Sequence, residues 1–425
     1  MSDLIFVNVR LLDPASGLDA PGALLVRDGV IADLGDGLGR PDGVATVDGG
    51  GAVLCPGFVD MRVDLGEPGD EHRETMASAA AAAAAGGITA VAALPDSRPG
   101  IDDPALVRLR RARGEETGSL TVLPYGALTR GCRGEELAEL GLLREAGAVA
   151  FTDGARAIGP ARLMRLALTY AAGFGARVVQ HPEEPTLADG GAATEGELAT
   201  RLGLPAIPAA AEAILVARDI RLARLSGGAV HFAHVSTAEA LMLIRRAKDE
   251  GIAVTCDTAP PYFDLNETVI GDWRTYAKLS PPLRAEADRQ AVAAALADGT
   301  IDAVASDHAP RDADDKRLPF AQAAAGGVGL ATLLGVTLAQ VHGGALPLAR
   351  AIALLTVAPA RLLGTPLGTL AKGSSADLCL FDPDRIWQVS AGALPGKAQN
   401  TPFDGRALEG RVIGTWKAGR RVFGE

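Results

Sequence analysis

Four short stretches end in side chains that can hold a metal ion or move a proton. They are Ala150-Phe151-Thr152-Asp153-Gly154, Val179-Gln180-His181-Pro182-Glu183-Glu184, Phe232-Ala233-His234-Val235-Ser236-Thr237 and Ala305-Ser306-Asp307-His308-Ala309-Pro310. Each reads as an apolar strand leaving a buried sheet. Imidazoles and carboxylates gathered at strand ends suit metal-assisted hydrolysis or acid–base work. A fifth stretch, Pro56-Gly57-Phe58-Val59-Asp60-Met61-Arg62-Val63-Asp64-Leu65-Gly66-Glu67-Pro68-Gly69, has the same shape. Residues two apart on a strand share a face, so Arg62 and Asp64 are expected to point the same way. The remaining histidines read more plainly. His231 is expected to be a packed core residue facing away from the site, His72 and His342 surface or helix residues, and His308 a brace for its loop. The four cysteines, Cys55, Cys132, Cys256 and Cys379, are scattered without a CxxC pair and read as reduced, buried thiols. None sits beside a base.

Strands that end together need a frame. Strand candidates fall at 58–63, 89–94, 121–126, 148–152, 177–180, 229–234, 253–257 and 302–306, separated by helical patterns. Eight strand-then-helix units give a (β/α)8 TIM barrel, whose active sites form at the C-terminal ends of the strands. The run from Ala77 to Ala85 predicts a helix packed close to the barrel and stopped at Gly86-Gly87. Both ends of the chain have a different texture, with short apolar runs broken by Gly, Asp and Pro. Residues 1–54 and 365–425 are expected to form one small β-sandwich domain, and 55–364 the barrel. The chain of 425 residues is long enough for both, and its net charge of -11 argues against nucleic acid and anionic membrane surfaces. No signal segment opens it and no apolar run reaches spanning length, so the expectation is a cytoplasmic protein.

The Pro56-to-Gly69 frame resembles the first barrel strand of the amidohydrolase superfamily, in its dihydroorotase branch. There the frame reads Pro-Gly-Phe-Val-Asp-x-His-Val-His-Leu-Arg-Glu-Pro-Gly. Arg62 and Asp64 stand at the two His positions, and Gly66 at the Arg position. The resemblance runs on through Ala193-Thr194-Glu195-Gly196-Glu197-Leu198 and Asn400-Thr401-Pro402-Phe403, and so covers nearly the whole chain. It implies two metal ions: one on the strand-one His pair and the strand-eight Asp, one on the strand-five and strand-six His, with a strand-four carboxylate between. Matched position by position, Asp153, His181, His234 and Asp307 remain. Asp153, His181 and His234 would suffice for a single zinc site, with Asp307 as a residual catalytic proton shuttle.

The substrate side departs further. Family positions that recognise the substrate are here Gly66, Asp96, Ser280 and Arg311, and the strand-seven Thr-Pro-His-His is Ala259-Pro260-Pro261-Tyr262. A substrate carboxylate wants a bidentate Arg and an amide donor, and would meet Gly66 and an anionic Asp96. Arg62 is expected to stand where a metal would sit and to pair with Asp307, Asp153 or both, because a guanidinium is always charged and forks onto carboxylates. The resemblance therefore implies a dihydroorotase-like protein of pyrimidine synthesis that has lost catalysis. It is expected to hold no zinc or one, to act as a structural partner of aspartate transcarbamoylase, and to form a homo-oligomer. The alternative is a single-zinc hydrolase of a cyclic amide less anionic than dihydroorotate. A third reading is an active dihydroorotase with a rearranged site.

Overall fold

A computed structural model describes residues 3–424. Eight parallel strands form the barrel: Phe58–Val63, Ile88–Ala93, Thr121–Pro124, Phe151–Thr152, Arg177–Gln180, Ala229–Phe232, Val254–Thr258 and Ala303–Val304. The first three pair in sequence, as do the fourth to the eighth. Backbone bonds from Val149 N to Pro124 O and from Gly126 N to Ala150 O, both 3.0 Å, join the third strand to the fourth. Asp64 N donates to His308 O at 2.8 Å, closing the eighth onto the first. The eighth strand is shorter than its apolar run because Ser306 N donates to the Asp60 carboxylate at 3.1 Å and not to a neighbouring strand.

Small side chains fill the barrel. Val59, Met61, Ala90, Ala92, Ala233 and Ala305 lie in one buried cluster. Tyr125 crosses it, donating from its hydroxyl to Met61 O at 2.9 Å. The alanine-rich helix is present as Met76–Ala85, with Thr75 as N-cap and five of its alanines buried. It stops where the sequence predicts, at Gly86. A Cβ there would lie 2.1 Å from Leu330 O, so only glycine lets the helix end approach that backbone.

The termini build one eight-stranded sheet. Leu4–Asp13 pairs antiparallel with Leu18–Arg27 and parallel with Ala45–Asp48 and Val53–Pro56. Val53–Pro56 then pairs antiparallel with Leu378–Gln388, which carries Ala407–Lys417 and Arg420–Phe423. Alternation along the central strand covers both faces. Phe6, Leu24 and Trp416 pack on one, Ile5, Val7 and Leu25 on the other. Phe6 and Trp416 meet edge to face with centroids 4.8 Å apart, tying the two ends of the chain together. All four cysteines are buried. Cys55 and Cys379, far apart in sequence, are cross-strand partners in this sheet. Burial and the neighbouring thiol raise Cys55 well above the usual thiol range, so it is inert. The strand Val53–Pro56 leads through Gly57 into the first barrel strand, so the terminal sheet anchors the strand that carries Arg62.

Candidate functional site

A continuous line of side chains crosses the barrel mouth. Arg62, from the first strand, is 4 % exposed. Its Nε donates to Asp307 Oδ1 at 2.8 Å, and its Nη2 donates to Gly154 O at 3.2 Å. The other Asp307 oxygen, Oδ2, lies 3.2 Å from His234 Nδ1. His234 Nε2 is 2.8 Å from His181 Nδ1, and His181 Nε2 is 3.5 Å from Glu183 Oε2. A carboxylate only accepts, so His234 carries its proton on Nδ1. Two members of the line sit in the left-handed region, His234 at φ 40° and Asp307 at φ 52°. Non-glycine residues rarely adopt it, and such strain persists where surroundings over-determine the position. Here Asp257 Oδ1 accepts from His234 N at 2.6 Å, and His308 N is anchored on Ser306 Oγ at 3.1 Å.

The charges respond to this packing. Burial alone would raise Asp307, but His234 and Arg62 overcome it and hold the carboxyl well below its ordinary range. His234 is pushed down to about 4, first by burial and then by the Arg62 charge, so the ring is neutral at pH 7. Asp153 is pushed up to about 6 by burial, against the pull of its bonds from Thr129. Asp60, beneath Arg62, is likewise raised to about 6 by burial.

The structure separates several residues that the sequence groups together. Arg62 does pair with Asp307, as its chemistry predicts, but makes no hydrogen bond to Asp153. Asp153 turns to Thr129, accepting from its backbone N at 2.8 Å and from its hydroxyl. Asp64 lies just past the last residue of its strand. Its Oδ1 accepts from Gly66 N at 3.0 Å and its Oδ2 lies 3.4 Å from Arg311 Nη1, so it takes no part in the Arg62 pair. Gly66 has φ +68°, and a Cβ there would stand 2.4 Å from Glu74 O. The backbone is built around glycine and has no room for the Arg of the family frame.

His231 is fully buried, as expected of a core residue, but it does not face away. Its Nε2 lies 3.0 Å from Asp257 Oδ2, and that carboxylate also fixes His234. Sequence reasoning missed Asp257, Glu183 and Thr129. Glu183 stood two residues after His181 in a stretch already singled out, and Asp257 closed a predicted strand. Thr129 carried no signal, because it follows its strand in an irregular loop. A cavity of about 550 Å³ opens beside the line, bounded by the loops after strands two to five, with Asp96, Asp153, His181 and Glu183 on its wall.

The family model described as dihydro-orotase-like matches residues 51–240. A dihydroorotase of Pelobacter propionicus is 45% identical over 421 residues, covering 99% of each chain. One from Anaeromyxobacter dehalogenans is 45% identical over 428 residues, 100% of this chain and 99% of the other. The chain belongs to the dihydroorotase family. Its fold is also that of an L-hydantoinase (dihydropyrimidinase) from Arthrobacter aurescens. That structure superposes with a TM-score of 0.89 at 26% identity, covering 100% of this chain and 97% of the other. A dihydroorotase-family barrel invites a test of its mouth against the metal centre that the sequence resemblance implies. The side chains do not fit two ions. A guanidinium and a displaced carboxylate stand at two ligand positions, and Arg62 already neutralises Asp307. Nor are Asp153, His181 and His234 gathered for one ion, since the imidazoles bond each other and Asp153 bonds Thr129. Among the described residues, only His342, Asp384 and Glu409 bring three such ligand atoms within 4.8 Å of one another, at the exposed edge between a barrel helix and the terminal sheet.

Proposed function

We propose that this dihydroorotase-family chain serves pyrimidine biosynthesis without hydrolysing dihydroorotate, as a structural partner of aspartate transcarbamoylase. The observation that carries this reading is the Arg62–Asp307 pair. A proton shuttle must gain and lose a proton near neutral pH. Asp307 is instead held ionised between a guanidinium and a neutral imidazole. Asp96, open to the cavity, adds repulsion toward an anionic substrate, and Gly66 offers nothing to hold its carboxylate. A full-length barrel with an intact terminal sheet around such a mouth suits a protein kept for its surface.

Two measurements on the purified full chain test this. Ring opening of dihydroorotate, with zinc supplied, is expected to stay at the level of buffer. Aspartate transcarbamoylase of the same cell is expected to co-purify with the chain and to melt at higher temperature in its presence. Enzymatic turnover would end the first half of the reading. A transferase that neither binds nor is stabilised would end the second.

A second reading is favoured by the names of the relatives, all hydrolases of cyclic amides. In it the chain hydrolyses a cyclic amide less anionic than dihydroorotate: Asp153, His181 and His234 would hold a zinc ion, which would supply Lewis acidity, and Asp307 would move the proton. It requires Asp153 to leave Thr129 and the two rings to part. Bound zinc in protein purified without chelator, and hydrolysis lost in Asp307→Asn, would favour it over the first.

A further inference from the structure

The cavity beside the Arg62 line has a wall rich in carboxylates. Asp96, Asp153 and Glu183 all line it. Among the described residues, no Lys or Arg side chain forms an ion pair with any of the three. Asp96 accepts only a backbone bond, from Ala155 N at 3.0 Å, and Asp153 is bonded to Thr129. The two arginines on the same wall belong to its rim. Arg98 is 75% exposed and reaches outward to Asp70 at 3.9 Å, and Arg156 is exposed.

Glu183 supplies a second, independent observation. The residue is only 8% exposed. Its Oε1 is buried with no hydrogen-bond partner, and its Oε2 has only His181 Nε2 at 3.5 Å. A buried acceptor without a donor costs roughly 1–3 kcal/mol, more when charged, so the Glu183 carboxylate, whose side chain lines the cavity, is left one donor short, and a small turn of the side chain would present it to a donor held there. Among the described residues, no three imidazole or carboxylate atoms at the mouth converge within 4.8 Å, so the wall is not a preformed cage for a single metal ion. Asp96, Asp153 and Glu183 come from the loops after three different strands, which suits a ligand whose N–H groups are spread as well.

We propose that this cavity binds a small organic cation with amine or guanidinium groups at two points, one on Glu183 and one on Asp96. A cavity of about 550 Å³ accommodates a chain of several atoms between them. Binding needs no catalysis and no metal, so the inference goes beyond both readings above. Its failure would leave transferase association and metal content untouched.

Calorimetric titration of the full chain with 1,4-diaminobutane and with succinate tests it, since the two are alike in length and opposite in charge. The diamine is expected to bind, more weakly as salt is raised, and succinate to give no heat of binding. Glu183→Gln should weaken the diamine about tenfold or more. Asp96→Asn, at a position open to solvent, should weaken it severalfold in a fold that is not at risk. Succinate binding as well as the diamine, unchanged diamine affinity in both variants, or no diamine binding up to about 10 mM would each overturn the proposal.

Discussion

Arg62 sets the charge balance of the barrel mouth. A buried carboxylate needs a positive partner, and Asp307 finds one in a guanidinium held at 2.8 Å. Removing one member of a buried pair leaves the other charged and unpaired, at a cost of roughly 3–5 kcal/mol. Asp307 keeps a side-chain exposure of 17%, so a smaller loss of about 2–3 kcal/mol is expected for Arg62→Met at pH 7. Urea unfolding measures it. The pH dependence has a definite sign. Asp307 is depressed in the folded state, so its contribution is present above the unfolded carboxylate value of about 4 and is lost as pH falls below that toward its folded value. The gap between wild type and Arg62→Met should therefore narrow below about pH 4. A gap that stays constant through the acid range would mean that Arg62 acts by packing alone. This pairing was legible in the sequence, because a guanidinium among strand-end carboxylates has few other places to go. The turning of Asp153 to Thr129 was not, since nothing marks which loop hydroxyl a carboxylate will meet.

Among the elements, the eight strands could be read because each ends an apolar run and each is followed by a helical pattern. Their exact ends could not be read. The eighth strand closes at Val304 because Asp60, from the opposite end of the sequence, captures Ser306 N. The loop after the first strand was harder still. By sequence alone Gly66 is merely a lost Arg. In the fold it is a left-handed turn pressed against Glu74 O, so the loop is shaped for glycine. Gly66→Arg should therefore not restore anion recognition. Strain at positive φ and the 2.4 Å approach of the new Cβ should lower stability by about 2 kcal/mol or more, with no dihydroorotate binding gained. A thermal melt and a calorimetric titration of the variant decide this. A variant as stable as wild type that binds dihydroorotate would mean that the loop rearranges readily and that the family's substrate shell is one residue away.

At the scale of the whole molecule, the chain keeps the frame of its family and alters the centre. The terminal sheet joins both ends through Phe6 and Trp416, and it feeds the strand that bears Arg62. If the frame is retained for a partner, mouth and partnership are separable. The double variant Arg62→His, Asp64→His tests that separation directly. It replaces the internal cation with imidazoles and frees Asp307, which gives a divalent ion ligands that it lacks in the native chain. Metal analysis of the variant should show a clear rise in bound zinc over wild type, and cobalt substitution should give a visible ligand-field spectrum. On the proposed reading, association with aspartate transcarbamoylase should be unchanged, because the mouth would then play no part in it. Loss of association together with gain of metal would mean that the Arg62 line itself forms or shapes the partner surface. Failure to gain metal in a folded variant would mean that His181 and His234 stay bonded to each other even when an ion is offered, and that the mouth is closed to metal by more than its one guanidinium.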